Sequence, residues 1–441
     1  MMLNMGPAHP AMHGIIRIVL ALEGENVIDA TVDIGYLHRA FEKMSEEGGY
    51  LQVIPYTDRL NYVSPIINNV GYCMAVEKLF GIDTPERTKY IRVILSELSR
   101  VSDHLTCIGA SAMELGAFTV FLYMVKAREY IYELMEAVTG ARLTVSYVRV
   151  GGVKADLPEG FGEKTHEAIR ETRKVLKECD ELLTRNRIFV DRLKEIGIIS
   201  KEDALAYGLT GPFLRSTGVD YDVRRASPYL VYDRFDFEIP VGTKGDNLDR
   251  YLCRMEEMEQ SLRIVEQALD QIPSGPIQVD MEGNVVPAAV AVDEAKMGRV
   301  EKLAGARVAA DSTLEGAHKD QYPLIQAAEK RAVPPSKEDT YGNIEGLMHH
   351  FKMVMMGGGF GMGGHGIRPP KGEVYFPVEG GNGELGFYVV SDGTDRPYRV
   401  RVRPPCFPIM AALPICLRGG TVADVVPTFG SVNMIGGELD R

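Results

Sequence analysis

No tryptophan occurs in the 441 residues, and basic residues are in deficit, 49 against 61 acidic ones. Nucleic-acid binding needs a basic face, so the net charge of −12 excludes it as the main role. No stretch approaches the ~18 consecutive apolar residues of a bilayer-spanning helix. The opening MMLNMGPAHPAMHG has neither a basic n-region nor an apolar h-region. No secretory signal is therefore expected; the chain is expected in the cytosol, with docking onto a membrane complex left open. The six cysteines, at 73, 107, 179, 253, 406 and 416, form no CxxC pair. A zinc knuckle or an iron–sulfur cluster held by this chain is not expected; buried small hydrophobes are. P-loop and GxSxG motifs are missing too. A formal GxGxxG at Gly359, Gly361 and Gly364 follows no β-branched strand and precedes HGIRPPK, which is no helix start.

What is present has the composition of an ordinary globular protein, 45% hydrophobic and 25% charged. IIRIVLALEGENVIDATVDI, from position 15 to 34, reads as two β-branched strands joined at GEN. Thr84-Pro85-Glu86 starts a helix, with Ile91, Ile94, Leu95, Leu98, Val101, Leu105 and Ile108 forming an apolar stripe. Further helices are expected from Phe118 to Val138, stopped by Gly140, from Glu163 to Thr184, after the Ser200 cap, and from Asn247 to Ile272. Ala/Lys/Glu-rich residues 285–335 read as a surface insertion, and GGGFGMGGHG (357–366) as a flexible loop. A short helix near Ile344–Met353 and strands at Glu373–Val378, Leu385–Val390 and Tyr398–Val402 complete the C-terminal part. The expected fold class is α+β. Its parts are an N-terminal β region (1–65), a helical bundle (66–284), the insertion (285–335) and a C-terminal α+β lobe (336–441).

Several polar groups have uses beyond solvation. His9 and His13 sit in a Gly/Pro-rich loop, but Pro10 disfavours the helix that a zinc pair would need. GYLHRAFEK (35–43) brings His38, Arg39, Glu42 and Lys43 beside apolar neighbours, and YTDRLNY (56–62) surrounds Asp58 with Tyr56, Arg59 and Tyr62. Glu97, Arg100 and His104 fall on one flank of the apolar stripe, either as an internal network or as a water line.

The ordered succession GPAHPAMHG (6–14), GYLHRAFEK, YTDRLNY, IRVILSELSRVSDHL (91–105), RVGGVKADLPEGF (149–161), SDGTDRPYRVRVRPP (391–405) and GELDR (437–441) resembles the D-subunit family of NADH-quinone oxidoreductase. This is the hydrogenase-derived core subunit of the peripheral arm of respiratory complex I. The resemblance implies a fold like the large subunit of nickel–iron hydrogenases, a helical bundle flanked by α/β parts. It implies no metal here, since YTDRLNY lacks cysteine and Cys406 stands alone where that enzyme uses two CxxC pairs.

By the same resemblance, His13 and Tyr62 bond the two quinone carbonyls, and Glu114 backs the histidine where the family usually has Asp. His38, Arg39 and Arg59 fall toward the terminal [4Fe–4S] cluster of a neighbouring subunit. Thr144 replaces a histidine that bonds this cluster in many members. Loss of that donor is expected to weaken the cluster's pH coupling and lower its potential, which fits a low-potential quinone such as menaquinone. The chain alone would bind no cofactor, NADH and FMN belonging elsewhere in the complex. Implied partners within the complex are the cluster-bearing B-type, the C-type and the I-type subunits and the H-type membrane subunit. The expected location is the cytoplasmic side of the bacterial inner membrane, as a peripheral subunit. A relative fed by reduced coenzyme F420 or ferredoxin, or a hydrogenase-type subunit stripped of metal, are the alternatives.

Overall fold

A computed structural model of the chain describes residues 1–280, 283, 333–335, 337–354 and 366–441. The expected insertion and glycine loop lie outside the described residues, apart from Val333, Pro334, Pro335 and Gly366. Both strands expected near the N-terminus form, β2 (Arg17–Glu23) and β3 (Asn26–Asp33), turning at Gly24. A third strand, β1 (Met2–Met5), adds antiparallel to β2, which the Gly/Pro-rich sequence after it had masked. Ile18, Leu20 and Leu22 of β2 point inward and are buried, as period-two alternation demands.

Two short helices follow, α1 (Phe41–Glu47) and α2 (Tyr50–Thr57). The bundle comprises α3 (Pro65–Phe80), α4 (Glu86–Glu114), α5 (Phe118–Thr139) and α6 (Phe161–Leu183). A small ribbon, β4 (Val148–Arg149) with β5 (Gly152–Val153), separates the last two. Short helices α7 to α10 (Arg187–Asp191, Lys201–Ala206, Gly211–Arg215, Val223–Ala226) lead to α11 (Asn247–Gln271), the bundle's last long member. Gly140 ends α5 at φ 80°, the left-handed conformation that glycine adopts without a Cβ penalty. Ser200 caps α8 by accepting from the Asp203 N–H. The apolar stripe of α4 is buried as expected, and so is its opposite side, because α3, α5 and α11 surround it.

Beyond the bundle lie α12 (Lys337–Gly342) and α13 (Ile344–Val354). An antiparallel sheet of β6 (Gly372–Gly380), β7 (Gly383–Ser391) and β8 (Arg399–Arg403) packs on α3. Three helices that the sequence did not announce close the chain: α14 (Cys406–Leu417), α15 (Val422–Val432) and α16 (Gly436–Leu439). Pro414 and Pro427 interrupt their patterns, while packing against β3 and α4 holds them helical.

Two apolar cores result. One joins the bundle to the C-terminal sheet; the other joins the N-terminal sheet to α14–α16. They meet at the turn after α2, where Leu60 belongs to the first and Val63 to the second. All six cysteines are free and buried, as expected. Among the described residues, no helix is long and apolar enough to cross a membrane.

Candidate functional site

A cavity of about 630 Å³ opens where these cores meet. Three chain segments build it: Leu37, Arg39, Phe41 and Met44; Pro55, Tyr56, Arg59, Leu60 and Tyr62; and Gly437 with Arg441. Its size lies within the range that encloses a drug-sized ligand. The walls combine apolar side chains with two phenols and three guanidiniums. Such a cavity favours a flat, largely apolar molecule that gains negative charge.

The C-terminal residues hold the first segment in place. The Asp440 carboxylate accepts from the Gly35 N–H at 2.9 Å and the Leu37 N–H at 2.8 Å, while His38 Nδ1 lies 2.8 Å from the Asp440 carbonyl. Arg441 sits over the Phe407 ring, its centre 5.0 Å away, with Nε 3.4 Å from Glu42 Oε1. On the second segment Asn61 donates to Asp103 at 2.8 Å, beside Ser64 at 2.9 Å and Asn433 at 3.0 Å. Those bonds fix the turn that presents Tyr62. Burial, with Cys406 and Asp103 nearby, raises the Tyr62 pKa above the ordinary phenol value. The phenol therefore keeps its proton until a strong base meets it.

The expected site residues divide. Arg39, Arg59 and Tyr62 come together in the cavity lining; Arg39 and Arg59 are exposed. His38 is exposed, bonded to Asp440 and outside that lining, and exposed Thr144 is also outside it. Two residues beyond Thr144, Ser146 donates its backbone N–H to Asp58 at 2.9 Å, which ties this loop to the base of Arg59. His13 lies outside the lining as well. It ends a short 3-10 turn at φ 56°, and its ring meets Phe429 edge-on at 5.9 Å. Desolvation lowers its pKa, although the side chain is exposed in this chain. Glu114, the last residue of α4, reaches the same helix one residue further on: a Cβ on Gly430 would stand 2.5 Å from its Oε2. Burial raises the Glu114 pKa to about 7. Among the described residues no hydrogen bond or ion pair joins His13 to Glu114.

Phe41, Met44 and Arg441 are lining residues that sequence reasoning did not assign to a site, and Tyr56 entered it only as a neighbour of Asp58. The GELDR ending offered one signal, an Asp-Arg pair closing an apolar stretch, but nothing in it announced a wall of the cavity. Glu97, Arg100 and His104 prove to be an internal network rather than a water line, each fully buried. Among the described residues, no group of three or more His, Cys, Asp or Glu is arranged to hold a metal ion. Cys406 is buried, 3.3 Å from the Asn382 amide, and its N–H donates to Glu438 at 3.0 Å.

Residues 114–441 match the family model described as respiratory-chain NADH dehydrogenase, 49 Kd subunit. An NADH-quinone oxidoreductase D subunit of Sorangium cellulosum is 50% identical over the whole chain and 95% of its own length. The D subunit of the Myxococcus xanthus NADH-quinone oxidoreductase is 48% identical over the whole chain and 92% of its length. A fused C/D subunit of Bdellovibrio bacteriovorus is 45% identical, this chain spanning 68% of it.

Proposed function

The chain belongs to the 49 kDa, or D-subunit, family of NADH-quinone oxidoreductase, a core subunit of respiratory complex I, and from that premise we propose that its cavity receives the quinone headgroup. The observation that carries this reading is Tyr62, a proton-retaining phenol in the wall of a 630 Å³ apolar cavity that also holds three arginines. Reduction of a quinone takes two electrons and two protons, and both oxygens become strongly basic as charge arrives. A phenol with a raised pKa gives its proton only then. His13 is the second donor, on a loop whose Met12 packs into the same apolar cluster as Tyr62. Glu114, set against α15 one residue beyond Phe429, is the carboxyl that would restore its proton.

Arg39 and Arg59, both exposed in the cavity lining, are the groups that would face the electron supply, a terminal [4Fe–4S] cluster held by a neighbouring subunit. Their fixed positive charge favours the reduced cluster and the developing quinol anion. The fold is that of a nickel–iron hydrogenase large subunit whose metal site has become this cavity. The C-type subunit is a partner, supported by the relative in which the C and D parts form one chain; the B-, I- and H-type subunits are the others. The complex places the chain peripherally on the cytoplasmic side of the membrane. The relatives' names favour NADH as the donor over reduced coenzyme F420 or ferredoxin.

The test is NADH-driven quinone reduction by the purified membrane complex, wild type against Tyr62→Phe, with NADH:ferricyanide activity as the upstream control. Loss of quinone reduction by ~100-fold, the lower range for a positioned proton donor, with ferricyanide activity intact is expected. Equal quinone reduction in both would remove the catalytic assignment of Tyr62 and His13.

A further inference from the structure

Six polar residues of α4 recur at alternating three- and four-residue steps: Glu97, Arg100, His104, Cys107, Ser111 and Glu114. That spacing makes one straight stripe on a helix. Its first half faces α11. Arg100 lies 3.1 Å from Glu97 and 3.6 Å from Glu257, and His104 Nε2 lies 3.5 Å from Glu257 Oε2. Its second half faces α15. Ser111 donates to the Gly430 carbonyl at 2.8 Å, and a Cβ on Gly430 would stand 3.2 Å from Ser111 Oγ and 2.5 Å from Glu114 Oε2.

We propose that this stripe is a buried proton relay, which reloads Glu114, once His13 has drawn its proton, from a store, the buried cluster of carboxylates and guanidiniums at its other end. This rests on the quinone-site reading above.

Three observations support it. First, the store is one positive charge short. Ion pairs of less than 4 Å link four carboxylates, Glu97, Asp222, Glu257 and Glu379, with three guanidiniums, Arg100, Arg215 and Arg224. All are fully buried, where an unneutralised charge is costly. One proton balances the cluster, and burial with Asp222 pushes the Glu379 pKa to about 7. Tyr229 and Tyr232 face the cluster from the loop before α11, while Asp103 and Arg254 lie beyond it with opposite charges. The one titratable residue of α15, Asp424, is taken up at the start of that helix by Thr421 and Arg192.

Second, polar atoms without a protein hydrogen bond line the stripe: both His104 ring nitrogens, Arg254 Nε and Glu114 Oε2. Third, a void of about 20 Å³, enough for one water, lies against the middle of the stripe, lined by Cys107, Ser111, Arg254 and Ser431 among others.

In the transfer, the unprotonated oxygen of the reduced quinone takes a proton from His13, and Glu114 O–H returns one to the imidazole by way of water, the two side chains sharing no hydrogen bond. Ser111 Oγ–H, which at rest donates to the Gly430 and Cys107 carbonyls, turns to the Glu114 carboxylate and gives its proton as it takes one from water, at the expense of the store. Solvent refills the store by way of β7, where Glu384 bonds Tyr221 at 2.8 Å and the exposed Tyr375 at 2.6 Å.

The experiment is the pH profile and solvent isotope effect of NADH:quinone reduction by the intact complex carrying Ser111→Ala or Ser111→Thr, with ferricyanide activity as control. Ser111→Ala is expected to lose ~10-fold or more in turnover above pH 7, below the full range for a positioned proton donor, and to show a raised isotope effect. Ser111→Thr, which keeps the hydroxyl, is expected to restore both. A Ser111→Ala profile and isotope effect equal to wild type, or a loss uniform across pH that threonine does not rescue, overturns the relay. Tyr62→Phe separates the two readings. If it fails to lower quinone reduction, the site itself falls; if it lowers it while Ser111→Ala is silent, only the relay falls.

Discussion

Single side chains carry their chemistry here through burial. Glu114 has no described partner for Oε2, and removal from water alone raises its pKa to about 7. Burial disfavours the anion, so the carboxyl is protonated below that pH and charged above it. The infrared carbonyl band of a protonated carboxyl in the oxidised complex should therefore fade as pH rises through 7, and Glu114→Gln should lack the titrating part. A band that persists unchanged to high pH would mean that Glu114 is held neutral and gives up no proton. Arg92 shows the other outcome of burial. It makes a two-pronged pair with Glu77, at 2.9 and 2.6 Å, and donates to the carbonyls of Arg149 and Gly152 at 3.0 Å. Glu77→Ala leaves that guanidinium buried and unpaired, a loss of about 3–5 kcal/mol. Poor assembly of the complex at raised temperature would register it; assembly equal to wild type would show that water enters to pair Arg92.

Among the elements, α4 and α15 set the distances that matter. Gly430 lets the two helices approach so closely that a Cβ there would stand 2.5 Å from the Glu114 carboxyl. Gly430→Ala would push aside the far end of a flexible side chain rather than backbone, so stability should change little while Glu114 moves. Quinone reduction should fall with assembly and ferricyanide activity kept, and unchanged quinone reduction would show that the place of this carboxyl does not matter. Elements with regular periods were legible in the sequence. The α4 stripe, the stop of α5 at Gly140 and the N-terminal strand pair all follow from local pattern, and the structure has them within a few residues. β1 and the helices α14 to α16 were not legible, because tertiary contact rather than propensity holds them: β1 needs β2 as its partner, and Pro414 and Pro427 weaken the helical signal. The polar flank of α4 was visible as a pattern but not as an interior, since only α11 and the loop before it supply the opposing charges.

At the scale of the whole molecule, the cavity exists only because distant segments meet. Its walls come from residues 37–44, 55–62 and 437–441, and Asp440 is the tie between the first and the last. Motif order brought Arg39, Arg59 and Tyr62 to attention, while Arg441 and Asp440 could not be read locally, because Glu42 and Leu37, with which they pair, lie some four hundred positions away. Asp440→Ala removes two charge-assisted hydrogen bonds, worth about 1.5–3 kcal/mol each, from a loop with few other anchors. Arg39 and Leu37 then lose their fixed place while Tyr62, held by the Asn61–Asp103 bond, keeps its own. Affinity should suffer before chemistry does. In the intact complex, KM for quinone is expected to rise ~10-fold, matching the 1.4 kcal/mol that one such bond exceeds, with kcat lowered much less. A fall in kcat at unchanged KM would instead mean that the first segment takes part in proton or electron transfer, and that Arg39 does more than shape the wall.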